Sequence, residues 1–162
     1  MSFFDKLKNP ENNVVHDSGI IRKRFDLDID GILVSDNLRG MLLDEETCEY
    51  LLYDPSERDE FIFRIFQMLV LGGELCQYEE ELEPYLTCTK NLYKDLIRVQ
   101  VPQNSDKLAV STMVLEVTAK DDEDVPYLPR NPSHKQNIAF MLVDGDLRRI
   151  TTITHQCTGY FG

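Results

Sequence analysis

The sequence predicts an α+β fold, a helical first half packed on a C-terminal antiparallel sheet of two hairpins. Three observations lead there. The stretch Phe61 to Leu71 is apolar at nearly every position and is framed by helix-start and helix-stop residues. Beyond Tyr93 the apolar residues change to a period of two, the signature of half-buried strands. Near the C-terminus Asp144-Gly145 stands between two apolar runs, a strong short-range hairpin signal. At 162 residues the chain suits one α+β domain over 1–162, long enough to bury a sizeable core.

The central helix orders the rest. Asp54 is placed to cap it, Pro55 suits its first position, and Glu57 stands where a capping-box acid belongs. Glu60, Arg64, Gln67 and Leu71 fall on one line at helical spacing, so the polar stripe is narrow and the remaining faces meet protein. Gly72 and Gly73 stop the helix, because glycine takes the left-handed turn at little steric cost. A run of this length is too short to cross a bilayer core of about 30 Å.

Along the chain, Phe3 and Phe4 are expected to dock on the core ahead of the turn-forming cluster Asn9 to Asn13. Arg24 to Asp30 alternates strictly, which predicts a half-buried strand with Phe25, Leu27 and Ile29 on its inner face. After Ile32-Leu33-Val34, Ser35 is the expected N-cap of a helix carrying Leu38, Met41 and Leu42. A short helix over Glu45 to Tyr53 follows, with weak boundaries. The acidic run Glu79 to Glu83 ends at Pro84, and spacing leaves Tyr85 to Tyr93 open between helix and strand. Tyr93, Ile97, Val99 and Val101 alternate, as do Ala109, Met113, Leu115 and Val117, and the loop formers Pro102 to Asp106 between them complete a first hairpin. Residues 120–136 read as a loop with an acidic tip at Asp121 to Asp124. The second hairpin runs from Ile138 to Val143 and from Leu147 to Thr154.

Composition bounds the function. A net charge of −12 argues against nucleic acid and anionic membrane as partners, since phosphate binding needs clustered Lys and Arg. The two basic clusters, Arg22-Lys23-Arg24 and Arg148-Arg149, read as solvated strand faces. Cys48, Cys76, Cys88 and Cys157 form no close-paired framework, and the first residues meet charge before any long apolar region. The expectation is reduced, buried thiols in a soluble intracellular protein. Cys76 follows a helix C-terminus, where the dipole raises a thiol pKa rather than activating it. His155 and Cys157 are two apart and share a strand face, but no second ligand pair completes a zinc site. No acidic cluster follows the calcium-loop pattern, and no phosphate-binding glycine motif or nucleophile elbow is present. Nothing in the residues calls for a cofactor, a metal or a catalytic set.

One stretch is distinctive: Leu71-Gly72-Gly73-Glu74-Leu75-Cys76-Gln77-Tyr78-Glu79, then Pro84-Tyr85-Leu86 and Thr89 to Leu96. With Ser2-Phe3-Phe4, Asp17-Ser18-Gly19, Leu33 to Arg39, Arg58-Asp59-Glu60-Phe61 and the closing His155-Gln156-Cys157-Thr158-Gly159, it closely resembles the C-terminal portion of the cilia- and flagella-associated protein 300 family. The family's N-terminal region has no counterpart here. The resemblance implies a non-enzymatic factor in the cytoplasm and the cilium or flagellum. Its implied role is assembly or transport of outer and inner axonemal dynein arms as a protein–protein adaptor. The implied partners are cytoplasmic dynein-arm assembly factors and axonemal dynein subunits, with a connection to intraflagellar transport. It carries over no catalytic residue. Within the motif, Glu74, Gln77, Tyr78 and Glu79 are least explained by packing and are the candidate partner-binding residues; the alternative is Tyr78 packed on the sheet with its hydroxyl satisfied. Two competing functional readings are a thiol-dependent enzyme centred on Cys76 and a permanent acidic structural subunit of the axoneme.

Overall fold

A computed structural model describes residues 2–73, 78–101 and 108–157. The α+β class holds, with helices concentrated in the first half and antiparallel strands in the second. The chain divides into two compact units, residues 1–90 and 91–162.

The first unit is built on an aromatic and aliphatic core. Its N-terminal segment enters that core as expected: Phe4 is buried, its ring centroid 4.6 Å from that of Phe66, and Phe3 and Tyr53 pack beside it. Helix α1 (Asp5–Lys8) contributes buried Leu7. Lys6 Nζ reaches Glu57 at 2.6 Å and the Leu52 carbonyl at 2.7 Å. Strands β1 (Lys23–Ile29) and β2 (Ile32–Asp36) form a hairpin turned by Gly31 at φ 78°. Ile32 and Val34 face inward, and Ile29 packs against the same core as expected, but the rest of the expected inner face of β1 is open: Phe25 is 97 % exposed and Leu27, opposite Val34, 43 %. For Phe25 the reason is a bulge, since β1 advances four positions (Lys23 to Leu27) against two of β2 (Asp36 to Val34). Alternation in the sequence does not reveal where pairing buckles. Nor are Arg22 and Arg24 solvated, because Arg22 Nε donates to the Val15 carbonyl and Arg24 pairs with Asp44 at 2.8 Å.

Helix α2 (Asn37–Leu43) is capped by Asp36 rather than Ser35, because the strand continues through Ser35 and the Asp36 carboxylate accepts from the Arg39 amide at 2.9 Å. Gly40 lets α2 pass close to β1; a Cβ there would stand 2.4 Å from Arg24 Nη1. The expected helix over Glu45 to Tyr53 is only a 3-10 turn, Tyr50–Leu52. The central stretch is two helices, α3 (Pro55–Asp59) and α4 (Phe61–Leu71), divided where Glu60 takes φ −59°, ψ 133°. The capping box of Asp54 and Glu57 forms as predicted, but it caps the short α3. Gln67 and Leu71, assigned to the polar stripe, are buried. Residues from Tyr85 onward are helical, in α5 (Leu82–Leu96), with Pro84 tolerated in the first turn.

In the second unit the predicted first hairpin is reduced to β3 (Val99–Gln100) with β4 (Ala109–Val110), and Tyr93 belongs to α5. Met113–Glu116 (β5) pairs instead with β8 (Ile138–Asp144), which also pairs with β9 (Arg149–His155). The result is a three-stranded sheet in the order β5-β8-β9 instead of a sheet of two hairpins. The β8–β9 hairpin stands as predicted. The acidic segment is an ordered turn between β6 (Ala119–Lys120) and β7 (Pro126–Leu128), held by Asp121 Oδ1 accepting from the amides of Glu123 and Val125. Cys48 and Cys88 are exposed free thiols and Cys157 is half-buried, against the expectation of buried cysteines. Cys76 lies outside the described residues.

Candidate partner-binding site

The described part of the predicted site is organised by a residue the sequence reading passed over, Arg39. It sits at the third position of α2, in a segment that also buries Leu38, Met41, Leu42 and Leu43, and is itself fully buried. A guanidinium there needs partners for its charge and its donors. Asp36 supplies the charge: one carboxylate oxygen caps the helix and the other accepts from Arg39 Nη1. Nη2 donates to the Val70 carbonyl at 3.0 Å and to the Tyr85 hydroxyl at 3.0 Å. Val70 lies in the last turn of α4, where carbonyls lack helical partners and a cation complements the helix dipole. Burial pulls the guanidinium's pKa down, but Asp36 and Tyr85 outweigh it and hold Arg39 above its ordinary value.

Tyr78 closes this arrangement. The Arg39 guanidinium lies 3.4 Å from the centre of the Tyr78 ring, a cation–π stack, while the side chain remains 39 % exposed. The next amide, Glu79 N–H, donates to the Tyr85 hydroxyl at 2.9 Å. The chain beyond the glycine pair is therefore tied to α2 and α5 through one cation and one phenol. Of the four predicted residues, Tyr78 and Glu79 lie together here, Tyr78 stacked on a cation rather than on a sheet. Glu74 and Gln77 lie outside the described residues. A signal for Arg39 was present: a lone arginine among apolar helix residues, three positions after an acid that can cap.

Beside this lock the chain is stitched by backbone. Ile21 N–H donates to the Glu80 carbonyl at 2.9 Å and Leu82 N–H to the Gly19 carbonyl at 3.1 Å, with Gly19 at φ 85°. A pocket of about 270 Å³ lies here between Val15–Gly19 and Glu81–Glu83. Across it Lys8 bonds Glu83 at 2.9 Å and holds that carboxyl below its ordinary range. His155 and Cys157 are used structurally: His155 Nδ1 is 2.5 Å from the Gln136 carbonyl, and the Cys157 amide donates to Asn137 Oδ1 at 2.8 Å. Among the described residues no cluster of three His, Cys, Asp or Glu side chains is poised for a metal, and no helix is long and apolar enough to cross a membrane.

These features describe an α+β protein whose motif-rich centre is an arginine–tyrosine lock with one aromatic edge open to solvent. Comparison with known proteins gives the family. The model of the family described as Cilia- and flagella-associated protein 300 matches residues 1–155, and the chain belongs to that family. It is 33 % identical over 162 residues to Cilia- and flagella-associated protein 300 of Chlamydomonas reinhardtii, covering 99 % of this chain and 63 % of that protein. It is 31 % identical over 156 residues to the Paramecium tetraurelia protein of the same name, covering 96 % of this chain and 58 % of that one. The chain thus spans about three fifths of the length of these curated relatives. No solved structure matches it.

Proposed function

We propose that the chain is a non-enzymatic adaptor that serves assembly or transport of outer and inner axonemal dynein arms. In this reading it binds cytoplasmic assembly factors and dynein subunits and works in the cytoplasm and at the axoneme. The observation that carries it is family membership over residues 1–155, in a family whose name places it at cilia and flagella. The Tyr78 edge supports an adaptor role: an aromatic ring held rigid on a buried cation loses little freedom when a partner covers it, which suits an interface anchor.

The test is affinity purification of the full chain from a ciliated cell, compared with a Tyr78→Ala variant shown by circular dichroism to be folded. Recovery of dynein-arm subunits or assembly factors supports the adaptor, and their loss in the folded variant puts Tyr78 in the interface. Retention of the chain in salt-extracted axonemes, with no soluble pool, overturns the adaptor in favour of a fixed subunit. Alkylation of Cys76 much faster than that of exposed Cys48 would favour the thiol enzyme instead.

A further inference from the structure

The three-stranded sheet of the second unit ends on an unguarded edge. β8 lies between β5 and β9, so among the described residues β9 has a strand neighbour on one side only. In an antiparallel ladder every second residue of such a strand turns its N–H and C=O away from the neighbour. Among the described residues no backbone bond outside the β8 ladder reaches Arg149–His155. Proteins blunt open edges with short strands, lysine, proline or bulges. Those devices are visible elsewhere in this chain: β1 is bulged, β7 begins with Pro126, and β3, β4 and β6 are two residues long. β9 has none of them. It runs for seven residues, pairs with β8 at every one without a shift, and holds neither lysine nor proline.

The buried face of the sheet is also unfinished at this edge. Residues directly opposite in the ladder share a face. Ile138, Phe140 and Leu142 of β8 are buried, but the residues opposite them, His155, Ile153 and Thr151, are only half-buried. The row loses its cover at β9, where one more strand would supply the missing neighbour. Backbone donors and acceptors spaced along an edge are matched by another extended chain, whereas a helix has its own groups already bonded internally. Charge adds a requirement at one end. Arg149 stands opposite Asp144, whose carboxylate is engaged by Arg98 at 3.4 Å and by the Leu147 amide at 3.0 Å. Arg149 is exposed and forms no ion pair among the described residues, so an acid on its other side is a favourable cross-strand neighbour. A second copy fits poorly. The antiparallel register that pairs all seven residues sets Arg149 against His155, and it brings one chain of net −12 against another.

We propose that the free edge of β9 takes up one extended strand of another protein, antiparallel to it, with apolar side chains opposite Thr151 and Ile153 and an Asp or Glu opposite Arg149. Main-chain hydrogen bonds supply the affinity, and the alternate side chains on the inner row supply the selectivity. The edge belongs to the second unit, and the inference stands whether or not the partner serves dynein arms.

Amide hydrogen exchange of the full chain, read residue by residue by NMR, tests it, because strand addition protects backbone groups that a contact through side chains leaves open. The probe is a synthetic end-blocked peptide, Val-Thr-Val-Thr-Val-Thr-Glu, which in antiparallel register sets its glutamate against Arg149 and its valines on the inner row. One control peptide ends in lysine instead, and another carries methyl groups on its interior backbone nitrogens and cannot pair as a strand. At concentrations up to about 1 mM the glutamate peptide is expected to slow the fast-exchanging amides of β9 at least about threefold and to leave those of β8 and α4 unchanged. The lysine peptide should bind about threefold or more weakly, and Arg149→Glu should reverse that preference while the protected β8 amides still report a folded sheet. The methylated peptide should do nothing. Absence of slowing in β9, equal action of the glutamate and lysine peptides, or equal action of the methylated peptide would overturn the proposal. So would slowing that grows with protein concentration alone, which would make the occupant a second copy.

Discussion

Arg39→Met removes the cation of the central lock while keeping most of its volume. Asp36, fully paired in the native chain and 2 % exposed, would then be a buried carboxylate without a counter-charge. Breaking a buried pair by deleting one partner costs about 3–5 kcal/mol. Two features hold the cost at the lower end. Asp36 still accepts from the backbone amide at position 39, so the α2 cap survives, and the Tyr85 hydroxyl still accepts from Glu79 N–H. The lost bond to the Val70 carbonyl adds about 1 kcal/mol. The expected loss is therefore about 3–4 kcal/mol, a large share of a typical total of about 5–15 kcal/mol. Urea unfolding followed by tyrosine emission measures it, since the chain has seven tyrosines and no tryptophan. Adding Asp36→Asn removes the stranded charge, so the double variant should be more stable than the sum of the singles by about 1–3 kcal/mol. The lock also makes a local prediction, that amide exchange at Glu79 accelerates in Arg39→Met. A loss below about 1 kcal/mol, or strict additivity with Asp36→Asn, would refute the reasoning that this cation neutralises Asp36 and fastens the chain beyond the glycine pair.

Other consequences can be measured alongside. Phe4→Ala should cost about 3–5 kcal/mol in thermal or urea unfolding, because its ring is buried against Phe66, whereas Phe25→Ser should stay within about 0.5 kcal/mol. In an Arg24→Ala background, Gly40→Ala should stabilise by about 0.5–1 kcal/mol, since the clash with Arg24 is gone and the helix preference remains; with Arg24 present the gain should vanish. Acid should weaken the first unit in a defined direction. The Lys6 ammonium, then the Asp54 amide, hold Glu57 below its ordinary pKa of 4.5, so the unfolded chain binds this proton more readily than the native one. The contribution is fully present above pH 4.5 and is lost as pH falls through the lower native value. Lys6→Met should flatten that part of the stability–pH curve, and an unchanged acid limb would count against the pairing.

Much of this molecule is legible in the chain because the causes are local. The capping box at Asp54 and Glu57, the helix stop at Gly72-Gly73, the Asp144-Gly145 turn and the docking of Phe4 follow from residue chemistry a few positions apart, and the family follows from the motif around the glycine pair. Other features depend on partners distant in sequence. Whether β1 buries Phe25 depends on its register against β2, and a bulge reverses the expectation. β5 pairs with β8 rather than across the nearer loop, because a strand's alternation marks its faces but not its neighbour. Tyr78 was legible as unusual, yet its stack needs Arg39, thirty-nine positions upstream, to be carried there by α2. Composition alone determines how many cations this acidic chain has. Only the tertiary structure decides which are spent on carboxylates, as Arg24 is on Asp44 and buried Arg39 on Asp36, because ion pairing is settled by distances that the folded backbone sets.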